Sequence, residues 1–169
     1  TDPTYGILSD YEGRRAPAEQ SGCHVYRIAP ETSDIKQVTR EFRQPNGLAF
    51  NPDETALFIS DTGASHVENG PKHIRKFNIG ENEQKLGEST VFAECSAGLF
   101  DGFRFDTAGR LWSSAADGVH CYDADGTLIG KILIPEMVAN LCFGGAARNR
   151  LFIAGTTSLY AAYLNVNGA

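Results

Sequence analysis

Residues 46–60 read Asn46-Gly47-Leu48-Ala49-Phe50-Asn51-Pro52-Asp53-Glu54-Thr55-Ala56-Leu57-Phe58-Ile59-Ser60. Two brief apolar runs flank Asn51-Pro52-Asp53-Glu54, whose residue types favour a tight turn, so the stretch reads as two short strands. Residues 103–114 repeat the design around Asp106-Thr107-Ala108-Gly109, and residues 141–154 repeat it around a turn at 144–149. The three copies run in step. Asn46-Gly47-Leu48, Asp101-Gly102-Phe103 and Asn140-Leu141-Cys142 are each followed ten or eleven residues later by a Leu-aromatic pair: Leu57-Phe58, Leu111-Trp112 and Leu151-Phe152. After a break of small residues comes a further alternating strand, at 73–77, 119–122 and 159–163, and residues 24–28 resemble that last strand alone.

The starts at Asn46, Asp101 and Asn140 are 55 and 39 residues apart. Repeats of about 40–50 residues, each built of short strands, are the pattern of β-propeller blades. A lone four-stranded blade cannot bury both of its faces, so blades stack around an axis. No window carries a sustained helical stripe, and the fold class is all-β. The expected architecture is a β-propeller of about three and a fraction blades, with residues 1–169 forming one unit. An open β-sandwich is the alternative, although it does not explain repeats that recur in step. Residues 63–72 lengthen one blade as a surface loop, and Asp123-Ala124-Asp125-Gly126 fits a hairpin turn better than a calcium loop.

The chain has 169 residues, a formal net charge of −6, 41% hydrophobic residues and 21% charged residues, ordinary values for a packed domain. An acidic balance without Lys/Arg clusters argues against a nucleic-acid partner, and no apolar run is long enough to span a membrane. Thr1 is preceded by no Met or signal-like segment, which reads as a processed or cropped product; the compartment is left open. Cys23, Cys95, Cys121 and Cys142 form no C-x-x-C pair. Free structural thiols are expected, with Cys121 and Cys142 inside apolar strands. Neither a G-x-S-x-G elbow nor a phosphate-binding glycine loop is present, so serine hydrolysis and nucleotide binding have no support.

In a propeller the innermost strand of each blade starts near the axis, so polar groups at matching starts converge. Asn46 and Asp101 occupy such starts, and Asn140 is a third candidate. Carboxylate and amide oxygens suit a hard cation such as Ca²⁺, although Asn-Gly and Asp-Gly are also common turn dipeptides.

Residues 44–54, around Pro45-Asn46-Gly47-Leu48-Ala49-Phe50, resemble the "PNGLAFSPD" stretch of the gluconolactonase and senescence marker protein (regucalcin) family. Residues 1–7 resemble its "TDPxYGL" segment, and residues 100–112 resemble its "PDGxxxDxxGNLW" segment, with Phe100 where the family usually has Pro. The motifs occur in the family's order along essentially the whole chain. The resemblance implies a six-bladed propeller of which this chain is the C-terminal half or slightly more. It implies one divalent cation, Ca²⁺ first, with Zn²⁺, Mg²⁺ or Mn²⁺ as alternatives, on Asn46 and Asp101. The family's glutamate ligand has no counterpart here.

The function so implied is metal-dependent hydrolysis of sugar lactones, with Asp101 as general base as well as ligand. Asp2, Tyr5 and Asn140 are candidates for contact with the lactone substrate. Two alternatives stand beside it: a catalytically silent half-propeller serving as a binding module, and a phosphotriesterase-like hydrolase on the same metal site. The partner expected besides substrate is the missing propeller half or a second chain. Asp61 reads as a loop cap, His66 and His73 as surface residues flanking the insert, and His24 and His120 as structural or solvated residues in one outer-strand register. Trp112 reads as core between blades.

Overall fold

The computed structural model describes residues 1–80 and 86–169. Strands β1 (Val25–Ile28) and β2 (Ile35–Thr39) form a two-stranded sheet. Strands β3 (Pro45–Phe50), β4 (Ala56–Asp61), β5 (His73–Ile79) and β6 (Leu86–Glu94) form a four-stranded sheet. A second four-stranded sheet holds β7 (Phe103–Phe105), β8 (Leu111–Ala115), β9 (Gly118–Tyr122) and β10 (Leu128–Leu133). Strands β11 (Val138–Gly144), β12 (Arg150–Gly155) and β13 (Leu159–Tyr163) complete the set. Within each sheet, neighbours in sequence pair antiparallel, and the only α-helix among the described residues is the single turn α1 (Tyr5–Leu8). These sheets are the blades of a β-propeller: the inner strands β3, β7 and β11 lie side by side. A sandwich, which packs two sheets face to face, does not describe them.

Each junction between sheets is an apolar layer. Leu57 and Ile59 of β4 turn to one side, where they pack with Val25, Phe42 and Phe77 against the two-stranded sheet. Phe58 turns to the other side, with Ile74, Phe100, Phe103, Phe105, Leu111 and Tyr122. The period of two in a strand therefore serves both neighbours at once, which is why β4 is buried along its whole length. Phe100, the departure from the resembling motif, is fully buried edge-on to Tyr122. Val119, Val138, Leu141, Leu151 and Ile153 fill the third junction, with Trp112 edge-on to Phe143 as expected for a residue between blades.

Local chemistry explains the recurring turns. Asp106 is fully buried and accepts the backbone N–H groups of Ala108 and Arg110, the Arg110 guanidinium at 2.8 Å and the Trp112 indole at 2.9 Å. Gly109 completes that turn at φ +79°, a region that penalises side chains. Asp123 to Thr127 forms the expected hairpin turn.

Two expectations are corrected. His24 pairs with Asp2 as His73 pairs with Asp61, so His24 matches His73. His120 stands two positions further along its strand, because β9 already begins at Gly118 after a two-residue turn. All four cysteines are free, but Cys142 is exposed: it alternates with buried Leu141 on a sheet that has one covered face.

Adjacent inner strands approach too closely for a side chain at Gly47. A Cβ there would run into the carbonyl of Asp101, a backbone atom. Gly47→Ala should therefore lower the free energy of unfolding by about 3 kcal/mol, read from urea midpoints; a loss below about 1 kcal/mol would mean that the strands simply part. A second prediction concerns Asp117, whose carboxylate bonds Lys131 Nζ at 2.8 Å and buried His120 Nε2 at 2.6 Å. The Lys131 hydrogen bond first, and His120 with it, hold Asp117 below the usual aspartate range. A depressed carboxylate stabilises the fold above its unfolded pKa, and that contribution is lost as pH falls through the folded value, hence below about pH 4. Asp117→Asn should lose less stability than the parent between neutral and acid pH, and parallel losses would refute the linkage.

Candidate functional site

The starts of β3, β7 and β11 all point to one end of the molecule. The loops from second to third strands lie at that end: residues 62–72, 116–117 and 155–158, together with residues 3–23. Asn46 is the second residue of β3. The pairing there steps from Pro45↔Asp61 to Leu48↔Ile59, so β3 carries one extra residue at 46–47. The same irregularity recurs in β11, where Val138↔Gly155 is followed by Asn140↔Ala154. Such bulges twist a strand and re-aim its side chains.

Buried serines tie the starts to one another. The Ser60 hydroxyl lies 3.3 Å from the Gly47 carbonyl and 3.4 Å from that of Asp101, a single proton bridging two blades. The Asp101 N–H donates to Ser114 Oγ at 3.0 Å, and the Gly102 N–H donates to the Ala139 carbonyl of the next blade at 2.9 Å. Ser60 and Ser114 each follow the aromatic of the repeated Leu-aromatic pair by two residues, and Ala154 holds that register in the third copy. The repeat thus contained the signal for them.

Asn46 and Asp101, both half-buried, are brought together. Burial holds the Asp101 carboxyl above the usual aspartate range; the Asn46 amide opposes this as a donor, and the negative charge of Glu12 adds to the rise. No salt bridge reaches Asp101 among the described residues. A half-buried carboxylate beside an amide, with no cationic side chain on it, fits a divalent cation as two oxygen donors. Among the described residues no cluster of three or more His, Cys, Asp or Glu adds to them.

Asn140 is not a third matching start: Leu141↔Ile153 corresponds to Leu48↔Ile59 and Phe103↔Ser113, so Ala139 holds the register of Asn46 and Asp101, and Asn140 stands one position on, level with Gly47 and Gly102. Its side chain packs where a Cβ on Gly102 would stand, and its Oδ1 accepts its own neighbour's N–H, from Leu141, at 2.8 Å. The Tyr5 hydroxyl is engaged by Thr62 and by Ser65 at 2.9 Å, which ties the 3–23 loop to the 62–72 loop. Asp2 is exposed, bridges through its backbone to His24, and accepts Gln20 Nε2 at 3.2 Å. Tyr5 and Asp2 therefore frame the mouth.

Asp61 caps a loop as expected: its buried carboxylate accepts the N–H groups of Arg43, Gln44 and Gly63 at 2.8, 2.9 and 3.0 Å. His66 is exposed against the Tyr5 ring, and His73 is half-buried, with burial pushing its imidazole below the usual range.

Comparison with known proteins agrees with this architecture. A gluconolactonase from Zymomonas mobilis is 28% identical over 165 residues, which cover 92% of this chain and 44% of that protein. A pentonolactonase from Haloferax volcanii is 27% identical, covering 87% of this chain and 51% of its own length. The solved structure of a gluconolactonase from Xanthomonas campestris superposes with a TM-score of 0.85 at 34% identity, over 99% of this chain and 52% of that one. A calcium-binding regucalcin from Agrobacterium tumefaciens shares the fold, with a TM-score of 0.71 at 19% identity over 86% of this chain and 54% of its own. The chain thus spans about half the length of these relatives. No helix among the described residues is long and apolar enough to cross a membrane. Residues 9–157 match the model of the SMP-30/gluconolactonase/LRE-like region, and the chain belongs to that family.

Proposed function

We propose that this chain supplies one wall of the active site of a hydrolase that opens sugar lactones with the help of a divalent cation. The observation that carries the reading is the placement of Asn46 and Asp101 side by side at the mouth, on inner strands that glycine lets touch. The names of the relatives support lactones as the substrate class.

Asn46 and Asp101 would hold the cation, which when bound supplies Lewis acidity toward the lactone carbonyl. Asn46 is a neutral donor and leaves the site less negative than a second carboxylate would. Asp101 is suited to take a proton from water: burial raises its basicity, and no arginine or lysine among the described residues neutralises it. In the reaction the water oxygen bonds to the carbonyl carbon and the ring C–O bond breaks. The proton taken from water is returned to the departing ring oxygen. The product is a hydroxy acid, which loses its own proton to solvent. Asn140, exposed beside Gly102, is placed to hydrogen-bond substrate hydroxyls, while Tyr5 acts by fixing the rim and Asp2 stands at its root.

In the whole protein, Asp101→Ala should abolish cation binding by calorimetry and lower lactone turnover by at least about 100-fold. His66→Ala, on the exposed rim, should stay within about twofold of the parent, as surface substitutions usually do. Retention of full activity by the Asp101 variant defeats the assignment. Asn46→Asp adds a charge to the cation's surroundings and should change the order of preference among Ca²⁺, Zn²⁺, Mg²⁺ and Mn²⁺ in the same titrations. An unaltered order and affinity would remove Asn46 from the site. A parent protein that binds the cation but opens no lactone would favour the binding-module reading instead.

A further inference from the structure

Both backbone polar groups of Asp101 meet buried hydroxyls. The N–H donates to Ser114 Oγ at 3.0 Å, from the second strand of its own blade. The carbonyl lies 3.4 Å from the Ser60 hydroxyl of the neighbouring blade, which also lies 3.3 Å from the Gly47 carbonyl. Ser60 and Ser114 are fully withdrawn from solvent. Residues on either side of Asp101 are fixed as well. Phe100 is buried edge-on to Tyr122. The Gly102 N–H donates to the Ala139 carbonyl at 2.9 Å, and the Gly102 carbonyl accepts the Ser114 N–H at 3.0 Å. Ser114 thus grips the blade start twice, by its side chain at Asp101 and by its backbone at Gly102. Of these hydrogen bonds, only those to the two hydroxyls need a particular side chain; the others join main-chain atoms.

An aspartate side chain is short, so the direction of its Cα–Cβ bond sets where the staggered rotamers can place the carboxylate. The Asp101 N–H has no other acceptor among the described residues. Deprived of Ser114 Oγ, it would be left unpaired in a contact closed to water, and the peptide would turn to find another acceptor. The carboxylate would turn with it. We propose that Ser114 and Ser60 are positioning residues of the cation site, their hydroxyls fixing the Asp101 backbone so that its carboxylate stays beside Asn46. This rests on the reading of Asn46 and Asp101 as cation donors. A neutral hydroxyl leaves the charge of the site unchanged, so the effect is one of aim, as with the groups that orient metal ligands from behind. Ser114 carries more of it: its bond is the shorter, while the proton of Ser60 is divided between two carbonyls.

The test uses the whole protein as parent, Ser114→Ala and Ser60→Ala. Ser113→Ala is the control: it removes an equally buried hydroxyl from the same strand, one that bonds the Ser114 carbonyl at 3.2 Å and reaches no blade start. Calorimetry gives the Kd for whichever of Ca²⁺, Zn²⁺, Mg²⁺ and Mn²⁺ the parent binds most tightly. Turnover of glucono-1,5-lactone at saturating cation gives kcat and KM, and urea midpoints give stability. Loss of folded protein lowers the number of cation sites and not their affinity, so a merely structural role leaves Kd where it was. Ser114→Ala should weaken the cation by about tenfold or more and lower kcat by about as much, with the lactone KM within about twofold because the rim is untouched. Ser60→Ala should shift Kd the same way by about threefold, and Ser113→Ala should leave Kd within about twofold whatever its urea midpoint. An unchanged Kd in Ser114→Ala overturns the proposal, as does an equal loss in the control. If Ser114→Ala does not fold, Ser60→Ala decides: a weakened cation upholds the proposal and an unchanged Kd overturns it. If the parent binds none of the four cations and opens no lactone, the cation reading falls on its own account. Crystal structures of parent and serine variants then decide the rest: a carboxylate turned away from Asn46 in the variants upholds the positioning, and an unmoved one overturns it.

Discussion

The close stacking of the inner strands is the constraint on which the rest of the molecule depends. Gly47 presses on the Asp101 backbone and Gly102 on the Asn140 side chain, so each blade start is positioned by the next. Only residues without a Cβ permit that approach. Ser60 and Ser114 satisfy backbone groups that the stacking buries, and Gly102 reaches on to Ala139. Polar groups so deep would be costly without partners, and the serines supply them at the register where two blades meet. The apolar layers behind, from Leu57 and Phe77 through Phe58 and Phe103 to Leu141 and Leu151, hold the blades at that spacing.

The aspartates of this chain show how partners sort similar side chains into different roles. Asp61 has three backbone donors and Asp106 has two, together with a guanidinium and an indole; both are consumed by loops. Asp117 anchors His120 and Lys131. Asp101 differs: it is partly withdrawn from water and, among the described residues, has the Asn46 amide alone to ease its charge. Such an uncompensated group stands where a cation or a proton can be bound with advantage. That environment singles out Asp101 better than its residue type does.

Much of the fold was legible because its physics is local and repeated. The polar turns at 51–54, 106–109 and 123–126 are written in Asn, Asp, Pro and Gly, and the Leu-aromatic pairs mark the second strand of each blade. The outer strands were harder to place. His24 and His120 both sit in alternating runs, but the loops before them differ greatly in length, and only the pairing of Asp2 with His24 sets the register. Cys142 read as buried because its neighbours are apolar; one covered face for two alternating sets of side chains left it outside.

Sequence alone determined that the chain is all-β, that its blades repeat, and that Asn46 and Asp101 occupy matching starts, since these follow from short-range periodicity. Only the tertiary structure decided which side chains meet there. Asn46 meets Asp101, while Asn140 stands one position further along its strand and folds against Gly102 and its own backbone, a one-residue offset that only the strand pairing fixes. Tertiary structure likewise joined the 3–23 loop to the 62–72 loop through Tyr5 and Thr62. Two loops so far apart in sequence meet only when separate blades pack, because they belong to different sheets.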